Sequence, residues 1–170
     1  MRTIIIFLFL FAAQQMIAQQ PDENSISRYH QFDFWLGHWD VYKFGTDTLA
    51  GESRIESIID SVGLLENYWA ENSNYTGKSL NKYNPAKDRW EQYWIDNSGF
   101  TLYLSGGIAD QKMVLDDVEN GDPEKGLNRI VWEKLGDNRV RQTWSISKDN
   151  GKTWTVVFDG EYKRRQDENR

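Results

Sequence analysis

The chain is 170 residues long, carries a formal net charge of −6 and has no cysteine. These values exclude disulfide staples, thiol nucleophiles and thiolate metal sites, and the modest acidity argues against nucleic acid and anionic membrane surfaces as partners. One domain of this length can build its core without cross-links, and eight tryptophans, suited to cores and ligand cavities alike, are available for it.

Residues 1–18 read as a secretory signal peptide. Arg2 gives the positive start, Ile4 to Ala13 the apolar run, and Met16-Ile17-Ala18 a small residue for cleavage before Gln19. The run is too short to cross a bilayer, which takes roughly 20 residues. The expectation is an exported chain, periplasmic or extracellular, with no stable membrane insertion once the leader is removed. Residues 19–27 are a polar, flexible lead containing Pro21. Residues 28–36 suit a short helical turn with Tyr29, Phe32, Trp35 and Leu36 on one side.

After Gly37 the helical period gives way to short alternating runs. Candidate strands, about ten in all, cover residues 39–44, 52–60, 65–72, 78–83, 89–96, 100–105, 112–118, 128–135, 139–147 and 153–163. Turn chemistry separates them: Gly45-Thr46-Asp47, Gly63, Asn84-Pro85, Asn97-Ser98-Gly99, Gly106-Gly107, Gly121-Asp122-Pro123, Gly136-Asp137-Asn138 and Asp149-Asn150-Gly151. No gap can hold a crossover helix, so the sheet is antiparallel. A meander of this length removes its exposed edges by closing, which predicts an all-β, up-and-down barrel over residues 28–165, with 166–170 as a polar tail. A flat sheet or a two-layer sandwich is the alternative.

Three stretches carry a resemblance. "FDFWLGHWDV" places Gly37 and Trp39 at the entry to the first strand, followed by "GKSLNKYNPAKDRWEQYWIDNSG" and by "VRQTWSISKDNGKTW" ending in "FDGEY". The Gly-x-Trp entry resembles the start of lipocalin-like (calycin) domains, where a short N-terminal turn closes one barrel end and the Trp packs across it. Nearly all of residues 32–163 resembles a family of secreted bacterial proteins that share the FDFWLGxWDV start. The resemblance implies a lipocalin-like barrel and no particular reaction. On it, Phe32, Phe34 or Trp35, and Trp39 form a plug, and Trp39 is a core residue. Within the last of the three stretches, Ser147 to Trp154 matches the S-x-D-x-G-x-T-W pattern called the Asp-box in sialidases. It occurs once in a chain too short for a propeller, so it reads as a hairpin with Asp149 accepting from turn N–H groups.

Alternate residues of a strand share a face. If the Trp-bearing faces point inward, the lumen holds Asn67, Asn81, Gln92, Asp96 and Gln142 among Trp69, Tyr83, Trp94 and Trp144. Buried amides and carboxylates persist either as a self-satisfied network or as groups that orient a ligand. Aromatic enclosure with a few polar groups is the usual form of a small-molecule site. The leading expectation is therefore a small, partly polar ligand held by these residues. An acid–base enzyme is the runner-up, with Asp96, Glu66 and Tyr83 as candidate catalytic groups. A filled structural barrel is the third reading. Arg129 and Arg141 fit surface ladders. His38, beside Trp39, reads as outward-facing rather than as a haem ligand. Neither a cofactor nor a metal is expected, and the acids Asp116, Asp117, Glu119 and Asp122 read as a solvated loop.

Overall fold

The computed structural model describes residues 27–165. The expected leader, most of the lead and the tail 166–170 lie outside the described residues. A 3-10 turn (Asp33–Trp35) is followed by ten antiparallel strands: β1 (Gly37–Lys43), β2 (Leu49–Ile58), β3 (Gly63–Ala70), β4 (Thr76–Asn84), β5 (Arg89–Asp96), β6 (Thr101–Ala109), β7 (Lys112–Asp116), β8 (Leu127–Gly136), β9 (Arg139–Ser147) and β10 (Thr155–Arg164). Each strand pairs with the next, and β1 pairs with β10 to close the barrel. Among the described residues no helix is long and apolar enough to cross a membrane.

The 3-10 turn plugs the end from which β1 departs. Phe32, Trp35 and Trp39 are fully buried. The Phe32 ring stacks on Trp35 at 5.0 Å and meets Trp132 (5.1 Å) and Trp90 (5.6 Å) edge-on. Trp39 donates its indole N–H to the Trp35 carbonyl at 2.9 Å, which fixes the turn to the first strand. Trp39 is thus core, as its place after Gly37 suggests. Gly37 itself has φ +133°, and the Arg164 guanidinium occupies the space a Cβ would need. That guanidinium lies 4.3 Å over the Trp39 ring. Only glycine admits both the backbone angle and the stacked arginine.

Two elements depart from the sequence reading. Gly106-Gly107, expected as a turn, lies inside β6; the chain reverses at Asp110 and Gln111, both at positive φ. Gly106 is small because a Cβ there would sit 2.1 Å from the Val114 carbonyl oxygen, so the glycine permits close strand approach. In β10 the register against β9 shifts between Val156 and Phe158, a bulge that resets which residues face inward.

On the outer surface charged pairs ladder the strands. Arg141 grips Asp159 through two bonds of 2.8 and 2.7 Å, and Arg129 binds Asp116 while its guanidinium lies 4.0 Å over the Trp154 ring. The Ser147–Trp154 stretch is a hairpin lock: Asp149 accepts from the Thr153 N–H and hydroxyl, and Trp154 donates to the Gly151 carbonyl.

Because the plug aromatics pack on one another, truncating one leaves a void that its neighbours cannot fill. Trp35→Ala is expected to cost about 3–5 kcal/mol of unfolding free energy, measured by urea denaturation. A loss below ~1 kcal/mol would mean the turn does not close the barrel.

Candidate functional site

The plug fills the lower half of the lumen and leaves the upper half open. A cavity of about 440 Å³ lies there. Its upper walls are Trp94 (β5), Phe100, Trp144 and Ile146 (β9), with Tyr68 (β3) and Phe158 (β10) opposite. Its base is polar: Glu66 (β3), Gln92 (β5), Gln142 (β9) and the Tyr162 hydroxyl (β10).

The base is one directed hydrogen-bond chain. Ser53 donates to Glu66 Oε1 at 3.0 Å and Ser79 to Oε2 at 2.8 Å. Asn81 Nδ2 donates to the Ser79 hydroxyl at 2.9 Å, and Gln92 Nε2 donates to Asn81 Oδ1 at 2.8 Å. Strand register sets this order. Glu66 stands opposite Ser79 and Asn81 opposite Gln92, while Ser53 reaches across from β2. An ionised carboxylate only accepts, so it polarises the whole chain toward itself. The consequence is a buried acceptor at the far end: Gln92 Oε1 has no partner among the described residues. On the other wall Tyr162 donates to Gln142 Oε1, which leaves the Gln142 amide N–H₂ unspoken for.

Glu66 and Glu91 make an informative pair, each 3% exposed. Burial raises the Glu91 carboxyl, but Lys87, Asn84, Lys82 and Tyr103 outweigh it and hold the group down at about 2. Glu66 has two serines and no cation. Burial dominates and pushes it up to about 7. Burial and the charge of Glu66 together raise Tyr68 to about 12, and the same causes raise Tyr162 well above its ordinary value.

The residues expected to line the lumen divide. Asn81, Gln92, Trp94, Gln142 and Trp144 face inward, with Asn81 fully buried beneath the cavity wall. Asn67 and Trp69 do not: β3 turns Leu64, Glu66 and Tyr68 inward, and Trp69 is 45% exposed on the outer surface. Both faces of β3 carry a leucine and an aromatic residue, so alternation alone cannot choose between them. The serines of β2 and β4 decide, because they solvate Glu66 and nothing comparable awaits Asn67. Asp96 also leaves the lumen. It sits at the end of β5 and accepts from the Ser98 N–H and hydroxyl, the Phe100 N–H and the Tyr75 hydroxyl. These bonds hold its carboxyl below the usual range against the effect of burial, which suits a turn cap rather than a proton donor. Tyr83 faces inward but at the plugged end. Its ring meets Tyr29 edge-on at 5.4 Å and its hydroxyl binds Asp88, away from the cavity.

Other lining residues escaped the sequence reading. Phe158 and Tyr162 share a face of β10 by plain alternation, since the register bulge lies before Phe158, and Gly160 between them leaves room for the Phe158 ring. Tyr68 follows from the corrected face of β3. Phe100 lies in the β5–β6 turn, where alternation says nothing, and its ring stacks on Trp144 at 6.2 Å. Trp144 is aimed by its N–H bond to Asn128 Oδ1 (3.0 Å), and Asn128 is fixed by Asp117 through its backbone N–H (2.6 Å) and side-chain amide (2.8 Å). Asp117 thereby ties the long loop 117–126 to a cavity wall.

Among the described residues no group of three or more His, Cys, Asp or Glu could hold a metal ion. Asp116, Glu119 and Asp122 are each engaged by a cation, namely Arg129, Arg89 and Lys125. His38 faces outward and bonds Glu52 at 2.9 Å.

The buried carboxyl makes stability depend on pH. The Glu66 group ionises near 4.5 when unfolded and about 7 when folded. Between these values the folded chain keeps a proton that the unfolded chain has released. Its contribution is therefore greatest below 4.5 and is lost as pH rises to about 7, by on the order of 3 kcal/mol. Glu66→Gln should abolish this slope, so that its unfolding free energy gains on wild type between pH 5 and pH 8. Parallel pH profiles would show Glu66 to be solvated after all. Compared with known proteins, the chain matches no family model and no curated protein sequence.

Proposed function

We propose that this chain is an exported, lipocalin-like barrel that binds a small, partly polar organic molecule in the upper half of its lumen. The observation that carries this reading is the cavity of about 440 Å³, with aromatic walls above and a polar base whose Gln92 acceptor is buried without a partner. Burying an unsatisfied carbonyl costs on the order of 1–3 kcal/mol, a cost that a donor on a ligand would offset. The volume lies within the usual range of small-molecule sites. The secreted-family resemblance of residues 32–163 and the leader-like residues 1–18 support the export part of the reading.

Native mass spectrometry of protein purified from its own host tests the binding. A retained molecule is expected, and Trp144→Ala and Gln142→Ala should each reduce its occupancy at least tenfold, roughly what one aromatic wall or one hydrogen bond contributes. A bare polypeptide mass, with no compound shifting the tryptophan fluorescence, would refute the reading. N-terminal sequencing of the exported protein should begin at Gln19; a chain that keeps Met1 in the cytoplasm would remove the export part.

A second reading is favoured by one observation: a carboxyl held at about 7 inside a cavity is poised for general acid–base work. In that case Glu66 would transfer a proton on the bound molecule, and Glu66→Gln would leave binding intact while stopping turnover.

A further inference from the structure

The charge pattern of the lumen says what the polar part of the ligand must be. Buried carboxylates elsewhere in this protein have partners suited to their charge. Lys82 and Lys87 reach Glu91, Arg139 reaches Glu161, and Asp117 is bound by the backbone and side-chain amides of Asn128. Glu66, as buried as any of these, receives two neutral hydroxyls. Among the described residues no lysine, arginine or histidine lines the cavity above it. The second acceptor at the base, Gln92 Oε1, is unpartnered. Around both, Tyr68, Trp94, Trp144 and Phe158 supply aromatic rings. Aromatic faces carry negative electrostatic potential and attract cations.

We propose that the ligand is an organic amine in its protonated form, its ammonium group donating to Glu66 and Gln92 and its apolar body held among the tryptophans. This rests on the lumen being a ligand site, and it names the class of ligand. An ammonium carries several N–H donors and one positive charge, which matches two acceptors of which one is a carboxylate. An anionic ligand would meet a like charge with no cation to offset it. A neutral alcohol could satisfy one acceptor but has no charge to pair with the ionised form of Glu66.

Proton linkage follows. The ammonium pairs with the ionised form of Glu66, so binding displaces the proton that burial otherwise keeps on the carboxyl. The groups that face Glu66 do not compete in this range. Tyr68 on β3 and Tyr162 on β10 stay neutral far above it, and Ser53 on β2 and Ser79 on β4 do not titrate.

The test is isothermal titration calorimetry of the protein with naphthylethylamine, naphthylethanol and naphthylacetate, which share one aromatic body and differ in charge. The amine is expected to bind at least tenfold more tightly than the other two. Its affinity should rise about tenfold per pH unit up to about 7 and then level off. Glu66→Gln should lose at least tenfold toward the amine and little toward the alcohol. If the alcohol or the acid binds as tightly as the amine, or if the amine binds Glu66→Gln as well as wild type, the amine assignment falls and the ligand cavity stands. If none of the three binds, the molecule retained from the host decides. One with a basic nitrogen supports the assignment, one without overturns it, and an empty protein overturns the ligand site itself.

Discussion

The pairing of β1 with β10, from Trp39 opposite Arg164 to Lys43 opposite Gly160, removes the last free edges of the meander. Closure at ten strands also creates a difficulty. Barrel diameter grows with strand number, and at about eight strands side chains can just fill the interior. A ten-stranded barrel has more room than its inward residues occupy. The chain fills the lower half by folding Phe32 and Trp35 back into it from the preceding turn, with Trp39, Trp90 and Trp132 closing around them. It brings no such plug to the upper half. The cavity is what remains when a wide barrel is stoppered at one end.

Within that remaining space one charge dictates the rest of the polar arrangement. Glu66 must be solvated by the protein, and the register supplies Ser79 directly opposite and Ser53 diagonally. Those bonds use the serine protons, so Asn81 must donate to Ser79 and Gln92 must donate to Asn81. The orphan acceptor on Gln92 follows from the carboxylate three links away. A slip of one residue between β3 and β4 would turn Glu66 outward and dissolve the chain, so the network and the strand pairing specify each other.

The sequence made the architecture legible because its signals were local. The strands Arg89–Asp96 and Arg139–Ser147 can be read to the residue, since alternation and flanking turn residues agree there. Gly106-Gly107 misleads because glycine serves close backbone approach as readily as reversal, and only the Val114 carbonyl across β7 distinguishes the two uses. The site was half legible. Trp94, Gln92, Gln142 and Trp144 follow from parity on strands whose tryptophans all lie on one face. On β3 both faces look alike, and the choice between Glu66 and Asn67 depends on serines that are distant in sequence. Phe100 needed knowledge of a turn conformation. Each failure marks a place where a non-local contact, rather than the residue pattern, sets the side-chain direction.

Fold stability alone gives no reason for a carboxylate at position 66. A neutral amide of the same shape could bond both serines, since a hydroxyl both donates and accepts, and it would not carry the penalty of a buried charge. An apolar residue would dispense with the network altogether. Glu91 shows how the same fold treats a buried acid that serves the sheet: two lysines and two further donors surround it. Glu66 faces an open cavity instead, with the charge left for something outside the chain to balance. A group that weakens the empty protein and is poised between its two protonation states near neutral pH is the observation on which the proposed lumen ligand rests.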